Sequence, residues 1–374
     1  MIRIAMISHG YYPLIGGAER QLAAVSPALQ AVGVEVHILT RRHADLPTYE
    51  EIEGVAVHRL PVPGPKFTAS LAFTHYGLQK IAEIRPQLIH AHELFSATTT
   101  AVRAKKRWGM PIVVTAHRSG PIGDVQRLGQ KFLGHQRLRT FAGAVDHFIT
   151  ISREIDGELM GIGVPAERLS FIPNAVDTTR FAPATAEQRA MLRTQLGIPA
   201  EAEVVVFIGR LAPEKRVNHL VSLWPTIRQA HPNAHLLLLG VGPEEGKLRQ
   251  MAGDGVRFCG SIDNVVPYLQ TADIFCLPSV AEGLSVAMLE AMSTGLTALV
   301  TAVGGAPETI THSANGWLVP PDDVPALQQS LLTLLANPAQ RASIGTAARQ
   351  TVLDQFSLSS IALQLRGLYD KLVS

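Results

Sequence analysis

Residues 273–292 read DIFCLPSVAEGLSVAMLEAM, an apolar run of strand length, a short break, and then small and apolar residues of helical character. A buried strand passing into a helix in this way is the unit of a parallel sheet covered by helices. The break holds Glu282, Gly283, Leu284 and Ser285, and Glu290 follows eight positions after Glu282. On one continuous helix eight positions turn through about 800°, which leaves the two acids about 80° apart and about 12 Å along the axis. That spacing suits two parts of an extended ligand better than one metal ion. Backbone N–H groups of Gly283, Leu284 and Ser285 at the start of such a helix favour a phosphate by geometry and by the helix dipole. Taken alone, the pair also fits a helix-start acid and a solvated helix residue.

The same alternation recurs along the chain. RIAMIS, VHILT, QLIHAH, PIVVTAH and HFITIS are strand-like runs separated by helical stretches, and a second series follows with VVVFIGR, HLLLLG, VRFCG, DIFCLPS and TALVTA. Two such series predict an α/β protein of two doubly wound domains. A length of 374 residues fits two cores better than one. The segment from Pro173 to Pro199, with three prolines and a helical stretch at Ala186 to Leu196, sets the expected boundary near residue 180, giving domains 1–180 and 181–374. Ser357 to Val373 reads as an amphipathic helix that either finishes the second domain or crosses back to the first.

Composition narrows the setting. The two cysteines, Cys259 and Cys276, lie in strand-like runs and read as buried thiols of a cytoplasmic protein rather than a disulfide framework. The opening MIRIAMIS reads directly as a strand with no signal-peptide pattern, and no run of 18 apolar residues predicts a membrane span. Lys plus Arg number 20 against 15 acids up to Ala182, and 13 against 16 beyond it. Nine of the basic residues fall between Arg103 and Arg139, with Asp124 the single acid there. Interleaved with Trp108, Leu128, Phe132, Leu133 and Leu138, these cations fit either a solvated rim or a face that rests on an anionic membrane. No nucleic-acid reading module is present, so nucleic acid is not an expected partner.

The remaining motifs fall just after strands, where open α/β sheets bind ligands. Ser8 to Glu19 carries Gly16 and Gly17, which fit a close ligand approach or an ordinary glycine turn. VVVFIGR runs into Arg210 and Lys215, cations suited to phosphate oxygens. His117 ends PIVVTAH, and Asn174 sits in FIPNAVD, where turn chemistry alone also accounts for it. The Gly240 to Pro243 and Gly304 to Glu308 segments read singly as ordinary turns.

In order, GGAE at 16–19, TAH at 115–117, PNAVD at 173–177, GRLAPEK at 209–215, GVGP at 240–243, EGLSVAMLE at 282–290 and FSL near 356 resemble the family-4 retaining glycosyltransferases of the GT-B fold. The resemblance implies two facing Rossmann-like domains with the ligand in an interdomain cleft, and transfer of a sugar from a nucleotide diphosphate. It implies that Arg210 and Lys215 hold the donor pyrophosphate, Glu290 the ribose hydroxyls, and Glu282 the transferred sugar. It also implies amide contacts at Leu284 and Ser285, base contacts around Ser261 and Ile262, and approach of His117, Gly16 and Gly17 to donor sugar, phosphate and acceptor. Asn174 joins this set as a donor-binding residue.

The implied chemistry uses a UDP- or GDP-sugar and a glycan or lipid-linked acceptor, with no cofactor. No Asp-x-Asp occurs in the chain, and the cation pair substitutes for a divalent ion, so no metal is expected. The expected setting is the cytoplasm, at the inner face of a membrane. Three positions depart from the family pattern: Leu284 and Ser285 replace Phe and Gly, Ala175 replaces the Gly of Pro-Asn-Gly, and Arg216 replaces a Gly after Glu214-Lys215. A nucleotide-sugar epimerase on the same scaffold and a non-catalytic sugar-binding hinge protein are the alternative readings.

Overall fold

In a computed structural model of the chain, residues 1–13, 16–43, 45–62 and 66–374 are described. Leu14 and Ile15, within the glycine-bearing segment, lie outside that set. The chain forms two compact units, one of residues 1–175 with 358–374 and one of residues 176–357. The expected boundary near 180 thus stands beside a division at Ala175 and Val176, with the terminal helix in the first unit.

Among the described residues the first unit has eight strands: β1 (Ile2–Ile7), β2 (Val34–Arg41), β3 (Tyr49–Ile52), β4 (Val55–Leu60), β5 (Leu88–His92), β6 (Ile112–Thr115), β7 (His147–Thr150) and β8 (Leu169–Phe171). They lie in the order β3-β4-β2-β1-β5-β6-β7-β8, parallel except for the β3–β4 hairpin. Strand β5 (LIHAH) is buried along its whole length, as a strand covered by helices on both faces must be. After β4 the chain returns to lay β5 against β1, so strand order reverses between β1 and β5. A doubly wound sheet opens a ligand crevice beyond the carboxyl ends of strands at such a reversal.

The helix Leu358–Val373 packs on the helix Gly17–Ala31 of this unit and sinks Ile361, Ala362, Leu365 and Tyr369 into its core. Tyr369 is fully buried, with its hydroxyl 2.7 Å from Nδ1 of His90. Arg366 adds hydrogen bonds to the carbonyls of Val32 and Gly33, at 3.1 and 2.8 Å. Large apolar side chains buried in this manner contribute about 1.5–3 kcal/mol each.

The second unit carries β9 (Glu203–Ile208), β10 (Ala234–Leu239), β11 (Val256–Gly260), β12 (Ile274–Leu277), β13 (Thr297–Thr301) and β14 (Trp317–Val319). All pair in parallel, in the order β11-β10-β9-β12-β13-β14, and the reversal falls between β9 and β12. The β-branched run Val204-Val205-Val206 is fully buried at the centre of this sheet. Cys276 is buried in β12, whereas Cys259 on β11 is only half-buried, because β11 is an edge strand; both are free thiols. Among the described residues no helix is long and apolar enough to cross a membrane.

Candidate functional site

In the second unit the loops that follow β9 and β12 meet at the strand reversal. Gly209 and Arg210 leave β9, and a short 3-10 turn, Pro213–Lys215, comes next. Ser279 to Glu282 leave β12, and the amide of Val280 donates to the carbonyl of Glu214 at 2.8 Å, which ties the two loops together. Lys215 Nζ lies 2.5 Å from Oε1 of Glu282, and the Ser279 hydroxyl donates to the same oxygen at 2.6 Å. With 20% and 14% of their side chains exposed, Lys215 and Glu282 form a charged pair that is sheltered and still reachable by a ligand.

Two glycine loops set this geometry. Leu211 N donates to Val241 O at 3.1 Å and Glu244 N to Leu211 O at 3.0 Å, so the chain at Gly242 lies directly on the backbone of Leu211. A Cβ on Gly242 would stand 2.6 Å from the carbonyl carbon of Leu211. Gly304 adopts φ +55°, and Gly305 N donates to Gly283 O at 2.6 Å, which holds the Glu282 loop from its other side. These segments read as ordinary turns in the sequence. Their glycines instead permit backbone contact with the two loops that carry Arg210, Lys215 and Glu282.

The helix after β12 is shorter than the sequence suggests. It spans Val286–Ser293, with Ser285 as its N-cap accepting from Met288 N at 3.3 Å. Glu282 therefore precedes the helix, and the expected two-turn spacing between Glu282 and Glu290 is not helical throughout. Serine won as the cap because its hydroxyl satisfies an otherwise orphaned first-turn amide. Glu290 sits within the helix at 6% exposure, and Leu284 is buried. Glu282, Gly283 and Ser285 line a small hollow with Met288 and Thr301. Arg210 is exposed after β9, while Ser261 (exposed) and Ile262 (half-buried) follow β11, away from that hollow's lining.

Arg216 directly follows Lys215. Its φ of +50° is the left-handed conformation for which glycine is common at this position. Its guanidinium pairs with Asp322 at 2.7 Å, so its charge is engaged there instead of being added to the Lys215 cluster. Ala175 has no left-handed backbone; positive φ among the described non-glycine residues falls elsewhere.

In the first unit His117 lies two residues past β6 and is 8% exposed. Its Nε2 is 3.0 Å from Nδ1 of His92, the last residue of β5, and the two rings stack at 5.2 Å. His92 also stacks on His90 at 4.4 Å, and His90 Nε2 lies 2.7 Å from the hydroxyl of Thr115. Burial lowers the pKa of all three, that of His92 to about 4, so the rings are neutral at physiological pH. His117, His92, Asn174 and Gln21 border a small hollow. Asn174, buried in the chain after β8, thus joins His117 within one unit, whereas the charged pair belongs to the other.

Gly16 caps the helix Gly17–Ala31 without a side-chain bond, and a Cβ there would collide with the carboxylate of Glu19. Gly17 faces open space. Sequence reading passed over His92, Glu93 and Ser279. His92 and Ser279 were visible as polar residues ending apolar strands, but their partners are fixed only by the fold. Glu93 follows β5 at φ +72°, with its pKa pushed up to about 7 by burial, then by Asp124 and opposed by Arg118. Asp124, fully buried, is raised to about 6 by burial.

Known proteins place this arrangement. The family described as Glycosyltransferase Family 4 matches residues 15–180, and that described as Glycosyl transferases group 1 matches residues 202–337. Together they cover most of the chain. A GDP-mannose-dependent monoacylated alpha-(1-6)-phosphatidylinositol monomannoside mannosyltransferase of Corynebacterium glutamicum is 28% identical over 381 residues, covering 97% of this chain and 96% of that protein. A D-inositol 3-phosphate glycosyltransferase of Acidothermus cellulolyticus is 28% identical, covering 91% and 84%.

Among solved structures, sucrose-phosphate synthase from Thermosynechococcus elongatus matches at TM-score 0.85 and 25% identity, over 100% of this chain and 99% of that one. HepE of Anabaena in complex with UDP-glucose matches at TM-score 0.83 and 20% identity, over the whole of both chains. The fold is that of GT-B glycosyltransferases. The chain belongs to the family-4 glycosyltransferases and is an enzyme that transfers sugars.

Proposed function

We propose that the protein moves a hexose from a UDP- or GDP-sugar to a glycan or lipid-linked acceptor, with retention of configuration and without a metal ion. The observation that carries this reading is the sheltered Lys215–Glu282 pair, held by Ser279 at the strand reversal of the second unit. Breaking the sugar–phosphate bond leaves negative charge on the departing diphosphate, and fixed cations there stabilise the transition state. Arg210 and Lys215 receive that charge. Glu290 holds the ribose, Glu282 orients the sugar, and the backbone amides of Leu284 and Ser285 meet sugar or phosphate. Ser261 and Ile262 flank the base. In the first unit His117 and Asn174 meet the sugar, and Gly16 and Gly17 admit phosphate and acceptor. Attack comes from the face the leaving phosphate vacates, with that phosphate taking the acceptor's proton.

A panel of nucleotide sugars tests the donor. One UDP- or GDP-hexose should raise the melting temperature in proportion to the logarithm of its concentration, as a ligand of the folded state does. Transfer should continue unchanged in chelator. Absence of any stabilising nucleotide sugar, or loss of activity on chelation, would contradict the proposal.

A membrane-facing role has its own support. Phe132 is 90% exposed and Leu133 55% exposed, on a turn between the helices Asp124–Gly129 and Gly134–Ala144. Arg127, Lys131 and Arg139 lie exposed close by in the chain. An apolar tip among cations suits the surface of an anionic bilayer at the inner face of the cytoplasmic membrane. Sedimentation with phosphatidylglycerol vesicles should fall when Phe132 and Leu133 both become Ser; unchanged sedimentation would dispose of the idea.

A further inference from the structure

Two histidines of β5 lie two positions apart on one face of the first sheet, and they are bonded differently. His90 registers with Val113 of β6 and reaches diagonally to Thr115, whose hydroxyl is 2.7 Å from its Nε2. Its Nδ1 is 2.7 Å from the Tyr369 hydroxyl. Both nitrogens of His90 are thus satisfied inside the core. His92 registers with Thr115 and takes the same diagonal step, which sets its Nδ1 3.0 Å from Nε2 of His117. Its own Nε2 is buried and has no hydrogen-bond partner among the described residues. Gln21 Oε1, from a residue bordering the same small hollow, is likewise buried and unpartnered.

A buried nitrogen without a partner costs free energy that an apolar side chain at the same place avoids. A histidine that served only to fill the core would be satisfied as His90 is, or would be replaced by an apolar residue. His92 bears that cost, and its other nitrogen is given to His117 alone. Its ring is sandwiched between His90 at 4.4 Å and His117 at 5.2 Å, so packing fixes the direction in which Nδ1 points. The His117 amide lies 3.4 Å from Oδ2 of Asp124, which steadies the backbone beneath the ring. With Nε2 of His117 engaged by His92, its Nδ1 is the nitrogen that can meet a ligand. Burial keeps both rings neutral, so one must donate and the other accept, and their tautomers are locked to each other.

We propose that His92 is a positioning residue for sugar transfer: it fixes the orientation and tautomer of the His117 ring and so presents Nδ1 of His117 to the transferred sugar. This rests on the reading of His117 as a residue that meets that sugar, and adds the group that aims it. The nucleotide is held by the second unit in that reading, so His92 acts on turnover and not on donor affinity.

Two substitutions separate aiming from packing. His92→Phe keeps a ring that can stack and removes the nitrogen, whereas His92→Asn returns a polar group near the place of Nδ1 on a smaller side chain. In protein labelled with 15N in its histidine rings, the His117 resonances are assigned by their loss in His117→Ala. They should show one tautomer in the wild type and in His92→Asn, and a mixture in His92→Phe. UDP-glucose and GDP-mannose are then offered without acceptor, and nucleotide release is followed for the one that the wild type hydrolyses. His92→Phe should lower kcat by about tenfold or more and change the donor KM by less than about twofold. His92→Asn should recover much of the rate although the cavity it leaves lowers its melting temperature. In a His117→Ala background His92→Phe should add no further loss. Tyr369→Phe, which strips His90 of a partner, should lower the melting temperature and leave kcat unchanged.

One His117 tautomer in all three proteins, or a wild-type kcat in His92→Phe, would overturn the proposal. So would rates that follow melting temperature alone, or an undiminished effect of His92→Phe in the His117→Ala background. Full turnover in His117→Ala is a different result: it sinks the reading of His117 itself, and the present assignment with it.

Discussion

Replacing Lys215 with Ala is expected to lower the rate of nucleotide release in the presence of acceptor by about 10²–10³-fold, the usual effect of removing one fixed donor aimed at developing charge. The ammonium stands 2.5 Å from Glu282, whose carboxylate also accepts from Ser279, in a sheltered pair. In the proposed reaction the diphosphate then loses its point charge, and the Glu282 carboxylate is left beside the departing anion without its cation. Both effects raise the barrier. Lys215→Arg keeps a charge but changes its shape and reach, so it should recover only part of the rate. The measurement is release of nucleoside diphosphate at saturating donor, with the melting temperature followed in parallel. Full activity in Lys215→Ala would remove this residue from the reaction.

Gly304→Ala should be a strongly damaging single-methyl change in the second unit, and one that acts directly on the Glu282 loop. At φ +55° any side chain is strained, by about 1–3 kcal/mol. The new Cβ would also stand 2.6 Å from the Glu282 carbonyl oxygen and nearer still to that of Gly283. Both are backbone atoms of the loop that presents the Glu282 carboxylate, so relief of the clash must move that loop. Melting temperature and kcat/KM should fall together, with the fall in activity exceeding that of a surface variant of equal stability. An alanine variant that melts and turns over as the wild type does would show that the loop is not positioned by this contact.

Much of the architecture was legible because buried parallel strands write themselves as continuous apolar runs. The ten runs from RIAMIS to TALVTA correspond to β1, β2, β5, β6, β7 and β9 to β13. The hairpin of β3 and β4 escaped because Tyr49 to Ile52 is a charged edge strand, YEEI, with no apolar run. Strands β8 and β14 are three residues each and too short to announce themselves.

The candidate site was legible in its charged residues but not in their company. Arg210, Lys215, Glu282 and Glu290 stand out as polar groups beyond apolar runs. That Lys215 meets Glu282, 67 positions away, and that His117 meets His92, 25 positions away, depends on strand order. The start of the helix at Val286 was obscured because Glu282 and Ser285 are both credible first-turn residues, and only the hydroxyl's bond to Met288 N decides between them.

The return of residues 358–373 to the first unit has a consequence for synthesis. The second unit is one unbroken segment, 176–357, and can close its core as soon as that segment has left the ribosome. The first unit, although nearly all of it is translated earlier, must wait with an open seam on the helix Gly17–Ala31 until Ile361, Leu365 and Tyr369 arrive. A nascent chain halted before residue 358 therefore leaves that apolar stripe of the helix Gly17–Ala31 uncovered.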